Sequence, residues 1–174
     1  MSAMLDRETL AAELGHKDEL QLWLRLLTCT TMIEATIRSR LRQQFGVTLP
    51  RFDLMAQLEK TPTGMTLGEL SRRMMVSNGN VTGLIERLVT AGEVERAPHA
   101  TDRRATTVRL TATGHRSFAT MAAAHEQWVA DMFQDVPRND LPVLMAALGR
   151  VKRSVGARKK RRKVLGQADR KSVV

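Results

Sequence analysis

Residues 76–89 constrain the fold of this chain more than any other segment. Their apolar side chains keep the three- and four-residue spacing of an α-helix, with Val81, Leu84, Ile85, Leu88 and Val89. Ser77 can cap such a helix, and Gly92 can end it. Small polar residues fill the first half, where a helix built for stability would carry Ala, Leu, Glu or Lys: Ser77, Asn78, Gly79, Asn80, Thr82 and Gly83. The segment therefore predicts a helix over residues 77–91 whose N-terminal end can closely approach another polar surface.

Helical spacing predicts three helices before this segment and two after it. The first is long, covers residues 18–44 and ends at Gly46; the second begins at residues 49–50. The third begins at Thr66, which forms a capping box with Glu69. Residues 93–96 and 106–110 read as two short strands, and Thr111 and Asn139 can cap the last two helices.

This order predicts a mainly α fold with a small two-stranded β wing: a winged helix-turn-helix with long N- and C-terminal dimerisation helices. The first and last long helices carry apolar stripes that a body of this size cannot cover alone. Antiparallel packing against a second copy would cover them, which favours a two-fold homodimer.

Net charge does not identify the folded part as a nucleic-acid binder. The chain has 28 basic and 18 acidic residues, a formal charge of +10. Residues 150–174 hold eleven basic residues and one acidic residue, so all of the net charge lies there. The preceding 149 residues, with seventeen of each sign, are neutral. The basic run at residues 158–163 leaves open a sequence-independent, chromatin-like DNA binder, or a merely solvated end.

Other classes find little support. The single Cys29 excludes an internal disulfide framework and a multi-cysteine zinc site, and the four histidines are scattered, so we expect no metal. No phosphate loop, nucleophile elbow or paired His/Glu motif is present, which predicts neither an enzyme nor a cofactor. No apolar run reaches about 18 residues, which predicts no membrane span and a cytoplasmic location.

Several runs together resemble the MarR family of bacterial transcription regulators. They are residues 67–71, residues 77–88, the triplet Asp102-Arg103-Arg104, and residues 108–114. The resemblance spans roughly residues 20–151. It implies a homodimer that binds a pseudo-palindromic double-stranded DNA operator, usually as a repressor. It also implies a helical dimerisation region at residues 18–48 and 111–155 and a DNA-binding domain at residues 49–110. Residues 156–174 lie outside the resemblance; their charged run has too few apolar side chains to dock, which predicts a basic, disordered tail.

The resemblance places residues 77–91 in the major groove and the wing tip in the adjacent minor groove. We expect Asn78, Asn80 and Thr82 to read bases, and Ser77 and Gly79 to contact phosphates, because a helix N-terminus presents free N–H groups and a positive dipole. Arg103 and Arg104 suit a narrow minor groove, with Asp102 holding the loop in shape. Ser71, Arg72 and Arg73 would position the backbone, although for the two arginines a solvated face is the alternative.

A small-molecule effector pocket is also implied by the resemblance. It would draw on Trp23, Thr30, Thr31, Arg51, Phe52, Met55, His125 and Trp128. Residues 48–53 and the pair His125 and Trp128 are similar to a branch that responds to hydroxycinnamate or its coenzyme A thioester. Arg51 could pair a carboxylate or phosphate. The alternative is that the aromatic and Met residues are core and that His125 is an interface histidine.

Besides an effector-responsive regulator and a sequence-independent DNA binder, Cys29 leaves open a thiol-based redox sensor, as in one branch of the family. A sensing thiol needs exposure and a thiolate-stabilising environment, often with tyrosine partners in that branch. The chain has no Tyr, and Cys29 sits within a predicted helix. The sequence therefore favours a buried small residue.

Overall fold

The computed structural model describes residues 17–98 and 106–168, with the backbone only for residues 158–168. The helices are α1 (Lys17–Phe45), α2 (Leu49–Glu59), α3 (Leu67–Met74), α4 (Asn78–Thr90), α5 (Ala112–Met132) and α6 (Asp140–Ala168). The strands are β1 (Met65–Thr66), β2 (Val94–Pro98) and β3 (Thr106–Leu110). The chain forms two compact units, residues 1–129 and residues 130–174. Among the described helices, none has the length and apolar character needed to cross a membrane.

Local signals set the helix boundaries as the sequence predicts. The Thr66 hydroxyl accepts a hydrogen bond from the Glu69 N–H (3.3 Å), while the Glu69 carboxylate accepts one from the Thr66 N–H (2.8 Å), which completes the capping box of α3. The Thr111 hydroxyl accepts from the Gly114 N–H (3.1 Å) at the start of α5. Beyond the end of α4, Gly92 takes the left-handed conformation with φ +68°.

The two predicted wing strands are present as β2 and β3, and β1, which the sequence did not predict, joins them in a sheet of three described strands. Its order is β1-β3-β2 and both pairings are antiparallel. Met65 pairs with Val108, and Thr66 with Thr107. Because β1 has only two residues, it shows no alternation that a sequence pattern could reveal. Gly64 takes φ +85°, and a Cβ there would lie 3.0 Å from the Val108 carbonyl oxygen, so glycine permits this close pairing.

The core of the first unit joins the short helices to the sheet. Its fully buried side chains come from all five helices α1 to α5 and from β1. In β2 and β3, Val94, Val108 and Leu110 are nearly as well covered. The fully buried side chains are Leu41, Leu54, Met55, Leu58, Met65, Leu70, Val81, Ile85, Leu88 and Met121. Burial of this apolar set at about 25 cal/mol per Å² fixes α3 and α4 against the wing.

The apolar stripe of α1 is buried only near its C-terminal end. Ile37 and Leu41 are buried, whereas the earlier members are exposed in the single chain: Leu20, Leu22, Trp23, Leu24, Leu27 and Met32. Most of this stripe therefore has no covering surface within one described chain, in keeping with the predicted need for a second copy.

The second unit is dominated by α6, which also carries exposed apolar side chains: Val143, Leu144, Met145, Leu148, Val151 and Val155. The helix continues through Ala168, which corrects the prediction of disorder for residues 156–168. Apart from two glycines, this stretch consists mainly of Lys, Arg, Ala, Leu and Gln, all good helix formers, and contains no Pro. Helix propensity thus prolongs α6 where the apolar pattern fades.

Candidate nucleic-acid interface

The N-terminal end of α4 presents small polar residues on an exposed surface. The Ser77 hydroxyl accepts a hydrogen bond from the Asn80 N–H (3.4 Å) and caps the helix, while Asn78, Gly79 and Asn80 are exposed. Thr82 donates its hydroxyl hydrogen to the Asn78 carbonyl (2.9 Å), so its oxygen keeps acceptor capacity only. The opposite face is anchored by the buried Val81 and Ile85. The helix end is therefore held firmly while its polar face stays open.

The turn between α3 and α4 is fixed by Ser71. Its hydroxyl donates to the Val76 carbonyl (2.6 Å), and its own carbonyl accepts from the Val76 N–H (3.2 Å). The side chain predicted to position the DNA backbone thus also pins the turn. Between the helices, Met75 takes a left-handed φ of 57° and is 91% exposed. Arg72 and Arg73 lie exposed in the last turn of α3.

A cleft joins α4 to the wing and contains a cation that sequence reasoning missed. It measures about 200 Å³, and its walls include Thr82 of α4, Arg96 of β2 and Thr106 of β3. Arg96 is exposed, one residue after Glu95, which forms an ion pair with Arg109 of the paired strand (2.6 Å). A cation beside the predicted base-reading Thr82 is well placed to meet a phosphate. The sequence held a signal for Arg96: neighbouring residues of a strand point to opposite faces, so Arg96 lies on the face of β2 opposite Glu95.

The wing tip carries three of the predicted site residues, Asp102, Arg103 and Arg104. All three lie outside the described residues. Their roles in the minor groove stay predictions.

The base of the wing is held by Glu93, which precedes β2 and is only 7% exposed. Its carboxylate pairs with Arg51 of α2 (2.5 Å) and accepts a hydrogen bond from the Ser117 hydroxyl of α5 (2.9 Å). Its carbonyl accepts from the Thr111 N–H (3.0 Å). Gly114 lies so close that a Cβ there would sit 1.9 Å from that carbonyl oxygen. This one residue therefore links α2, β2 and α5.

Arg51 was predicted to meet an effector anion, and the structure gives it an internal partner instead. Its Nη2 pairs with Glu93, while its Nε is buried without a hydrogen-bond partner among the described residues. A cavity of about 290 Å³ lies beside the pair, with Phe45, Val47 and Met121 in its walls. The residual donor and the adjoining space make Arg51 the best placed of the predicted effector residues.

The other predicted effector residues are not gathered around this cavity. Phe52, Met55 and Trp128 are buried, and Phe52 packs against His125 with ring centroids 5.0 Å apart. The rings of Trp128 and Phe45 also pack together, with centroids 6.2 Å apart. These residues thus have the core positions that were the alternative for the aromatic and Met side chains. Trp23, Thr30 and Thr31 are exposed on α1.

Cys29 is exposed in the single chain, so the expected burial is wrong. It lies on the part of α1 whose neighbouring side chains have little cover, which explains the difference. Within the described ranges, no three His, Cys, Asp or Glu side chains are grouped as a metal site.

Among the residues that the structure describes, two carboxyl groups have clearly shifted pKa values. The Thr66 backbone N–H, and then its hydroxyl, hydrogen-bond to the carboxylate and lower the pKa of Glu69 below its usual 4.5. Partial burial raises the pKa of Asp53 above its usual 3.8; the nearby Glu34 acts in the same direction and His125 opposes it. Neither group lies at the exposed end of α4.

A helix-turn-helix followed by an antiparallel wing defines the winged helix-turn-helix class. The MarR family model matches residues 45–105. A MarR family transcriptional regulator from Silicibacter pomeroyi is 31% identical, with a TM-score of 0.68 over 80% of this chain and 96% of that one. The chain therefore belongs to the MarR family of transcriptional regulators, as the motifs indicated.

Two further relatives broaden this comparison. The transcriptional activatory protein BadR from Rhodopseudomonas palustris is 34% identical over 105 residues, a match that spans 59% of this chain and 59% of BadR. A mutant MarR from E. coli, solved in complex with operator DNA, shares the fold at 20% identity and a TM-score of 0.67, over 79% of this chain and 97% of that one. BadR is thus named for transcriptional activation, and the E. coli protein was solved on operator DNA.

Proposed function

We propose that this protein is a sequence-specific DNA-binding transcription regulator that acts as a homodimer on a pseudo-palindromic operator. The capped, exposed N-terminal end of α4 carries the proposal, because its free N–H groups and its Asn78 and Asn80 side chains suit phosphates and base edges. The solved complex of a related MarR protein with operator DNA supports it. Arg103 and Arg104 then extend the contact into the minor groove.

Dimer formation accounts for the exposed apolar faces of α1 and α6. A monomer would leave Trp23, Leu24 and Leu27 of α1, and Leu144 and Leu148 of α6, in water. A second copy offers the same faces and covers both by two-fold symmetry. Sedimentation of the full chain should therefore give a dimer at micromolar concentration. A monomer at that concentration would refute this part of the proposal.

Sequence preference is the sharpest test of the main proposal. Footprinting of the region upstream of the gene should reveal a protected pseudo-palindrome, with half-sites one or more helical turns apart. At physiological salt, affinity for that site should exceed affinity for random DNA by about a thousandfold or more. Equal affinities would contradict sequence-specific regulation and favour the sequence-independent alternative.

Repression is the proposed outcome of operator binding. BadR is named a transcriptional activatory protein, so the direction of control needs a direct test. A reporter fused to the footprinted promoter should be more active when the regulator is deleted. Lower activity in the deletion strain would show activation instead.

The proposed trigger for release is a small aromatic acid, such as a hydroxycinnamate, or its coenzyme A thioester. An anionic effector in the cavity beside Arg51 would compete with Glu93 for the guanidinium, and the buried Nε offers it one more donor. Because Glu93 adjoins β2, losing its partner would loosen the base of the wing. Such a ligand lowers DNA affinity only if it prefers the loosened state.

Titration of candidate acids and thioesters into operator-bound protein tests this response. We expect release by at least one of them, and weaker release in Arg51→Gln. Arg109→Gln is the matched control, because it removes an arginine from an exposed pair on the wing. Ligands that bind the protein yet leave the DNA isotherm unchanged would refute the coupling.

A further inference from the structure

The C-terminal part of α6 carries positive charge that the proposed operator contacts do not use. Nine basic residues fall within residues 150–163: Arg150, Lys152, Arg153, Arg158, Lys159, Lys160, Arg161, Arg162 and Lys163. No acidic residue lies between Asp140 and Asp169. By contrast, residues 66–110 hold seven basic and five acidic residues. They contain the proposed operator reader, which is the N-terminal end of α4 together with the wing. The strongest charge of the chain therefore lies outside its operator-reading part.

Helical structure gives this charge a density along the axis that is comparable to that of duplex DNA. Because α6 runs through Ala168, residues 150–163 are part of one helix. At 1.5 Å per residue they span about 21 Å, or roughly one positive charge per 2.3 Å of helix axis. Duplex DNA carries about one negative charge per 1.7 Å of its axis. The exposed Arg150, Lys152 and Arg153 begin this array.

The sequence of the array favours DNA over a lipid surface. Between Val155 and Val164, α6 contains no large apolar residue. A helix that lies in a membrane interface needs an apolar face opposite its cations. Six consecutive basic residues, each turned 100° from the last, leave no such face.

We propose that residues 150–163 form a second DNA contact, independent of sequence, that binds phosphates of the duplex. This contact strengthens binding to any DNA and makes it sensitive to salt. It leaves the preference for the operator to α4 and the wing. It goes beyond the proposed function and does not depend on the existence of an operator.

The test measures binding of the full-length chain to a random-sequence duplex between 50 and 200 mM NaCl. The variant K159Q/K160Q/R161Q/R162Q/K163Q should bind at least about tenfold more weakly at 100 mM, and its log–log salt slope should flatten by about three to four. The matched control K159R/K160R/R161K/R162K/K163R keeps charge but changes identity, and it should bind like the original chain. Thermal unfolding and sedimentation check that each variant folds and assembles.

A milder variant guards against misfolding of the first. Lys152→Gln with Arg153→Gln changes two exposed side chains and should flatten the slope by about one to two. Unchanged affinity and slope in both variants would overturn the proposal. The proposal would also be overturned if the two variants lost binding to vesicles of equal phosphatidylglycerol and phosphatidylcholine while their DNA binding stayed intact, since that result identifies a membrane contact. Failure of the original chain to prefer its operator would refute the proposed function alone.

Discussion

Arg51 and Glu93, 42 residues apart in the chain, form an ion pair of 2.5 Å that ties α2 to the base of the wing. The side chain of Arg51 is 28% exposed and that of Glu93 10% exposed, so water screens the pair only in part. Ser117 adds a hydrogen bond from α5 to the same carboxylate. One buried glutamate thus connects the base of the wing to both α2 and α5.

Loss of this glutamate should destabilise the protein markedly. We expect Glu93→Ala to lower the free energy of unfolding by about 2 kcal/mol, because it leaves the partly buried Arg51 without a counter-charge. Glu95→Ala is the matched control, since the Glu95–Arg109 pair is about half exposed and should contribute 0–1 kcal/mol at most. Urea unfolding of the two variants compares them directly. Equal losses would show that the burial of the Arg51–Glu93 pair has no energetic consequence.

Two glycines should respond in opposite directions to alanine. In Gly114→Ala the new Cβ would lie 1.9 Å from the Glu93 carbonyl oxygen, so the start of α5 must shift, at a cost of about 2 kcal/mol or more. Gly83 lies within α4, and apart from its chain neighbours and the adjoining helix backbone no atom would lie within 4 Å of a Cβ there, so Gly83→Ala should stabilise by about 0.5–1 kcal/mol. Thermal unfolding should separate the two variants. A stabilised Gly114→Ala would contradict the close contact with Glu93.

Replacing Met75, in the turn between α3 and α4, with glycine should stabilise the protein. Its left-handed φ of 57° costs a residue with a Cβ about 1 kcal/mol, and its side chain is 91% exposed, so little packing is lost. Met75→Gly should therefore raise the melting temperature, by a few degrees for about 1 kcal/mol. Met75→Ala keeps the Cβ and should bring no gain. Similar behaviour of the two variants would argue against backbone strain.

The capping box of α3 should make stability depend on pH. Since the pKa of Glu69 is lowered in the folded state, its contribution is full above the usual value of 4.5 and is lost as the pH falls through the folded-state pKa. Glu69→Gln should remove this acid-dependent part. Thr66→Ala should cost about 1 kcal/mol at neutral pH, and Thr66→Ser, which keeps the hydroxyl, much less. Unfolding free energies at pH 3 and pH 7 should differ less in Glu69→Gln than in the original chain. An equal difference would show that Glu69 does not contribute to the pH dependence.

The wing arginines should act through phosphates and the minor groove. Arg103→Ala with Arg104→Ala should weaken operator binding and lower the salt slope by up to about two, while fold and dimer stay intact. Asn78→Ala with Asn80→Ala should instead reduce the preference for the operator, with a small change in slope. Anisotropy titrations at several salt concentrations separate the two effects. Unchanged operator affinity in the arginine variant would exclude the wing tip from the interface.

The sequence by itself determined the features that arise within a few residues of each other. The capping box of Thr66 and Glu69 and the cap at Ser77 depend on groups three residues apart, so their patterns are visible in the chain. The same holds for the helix order and for the family motifs, which placed the proposed reader at the start of α4. Apolar spacing likewise showed that the first and last helices carry stripes in need of cover.

Tertiary structure decided what joins distant parts of the chain. The two-residue strand β1 exists only because β3 pairs with it, and no local pattern marks it. The Glu93 partner of Arg51 lies 42 residues away, so the sequence left that arginine free for an effector. Exposure of Cys29 follows from how little of α1 its own chain covers. The fading apolar pattern predicted disorder beyond residue 156, whereas helix propensity extends α6 to Ala168. Contacts between distant residues depend on packing, and packing is fixed by the whole fold rather than by any one segment.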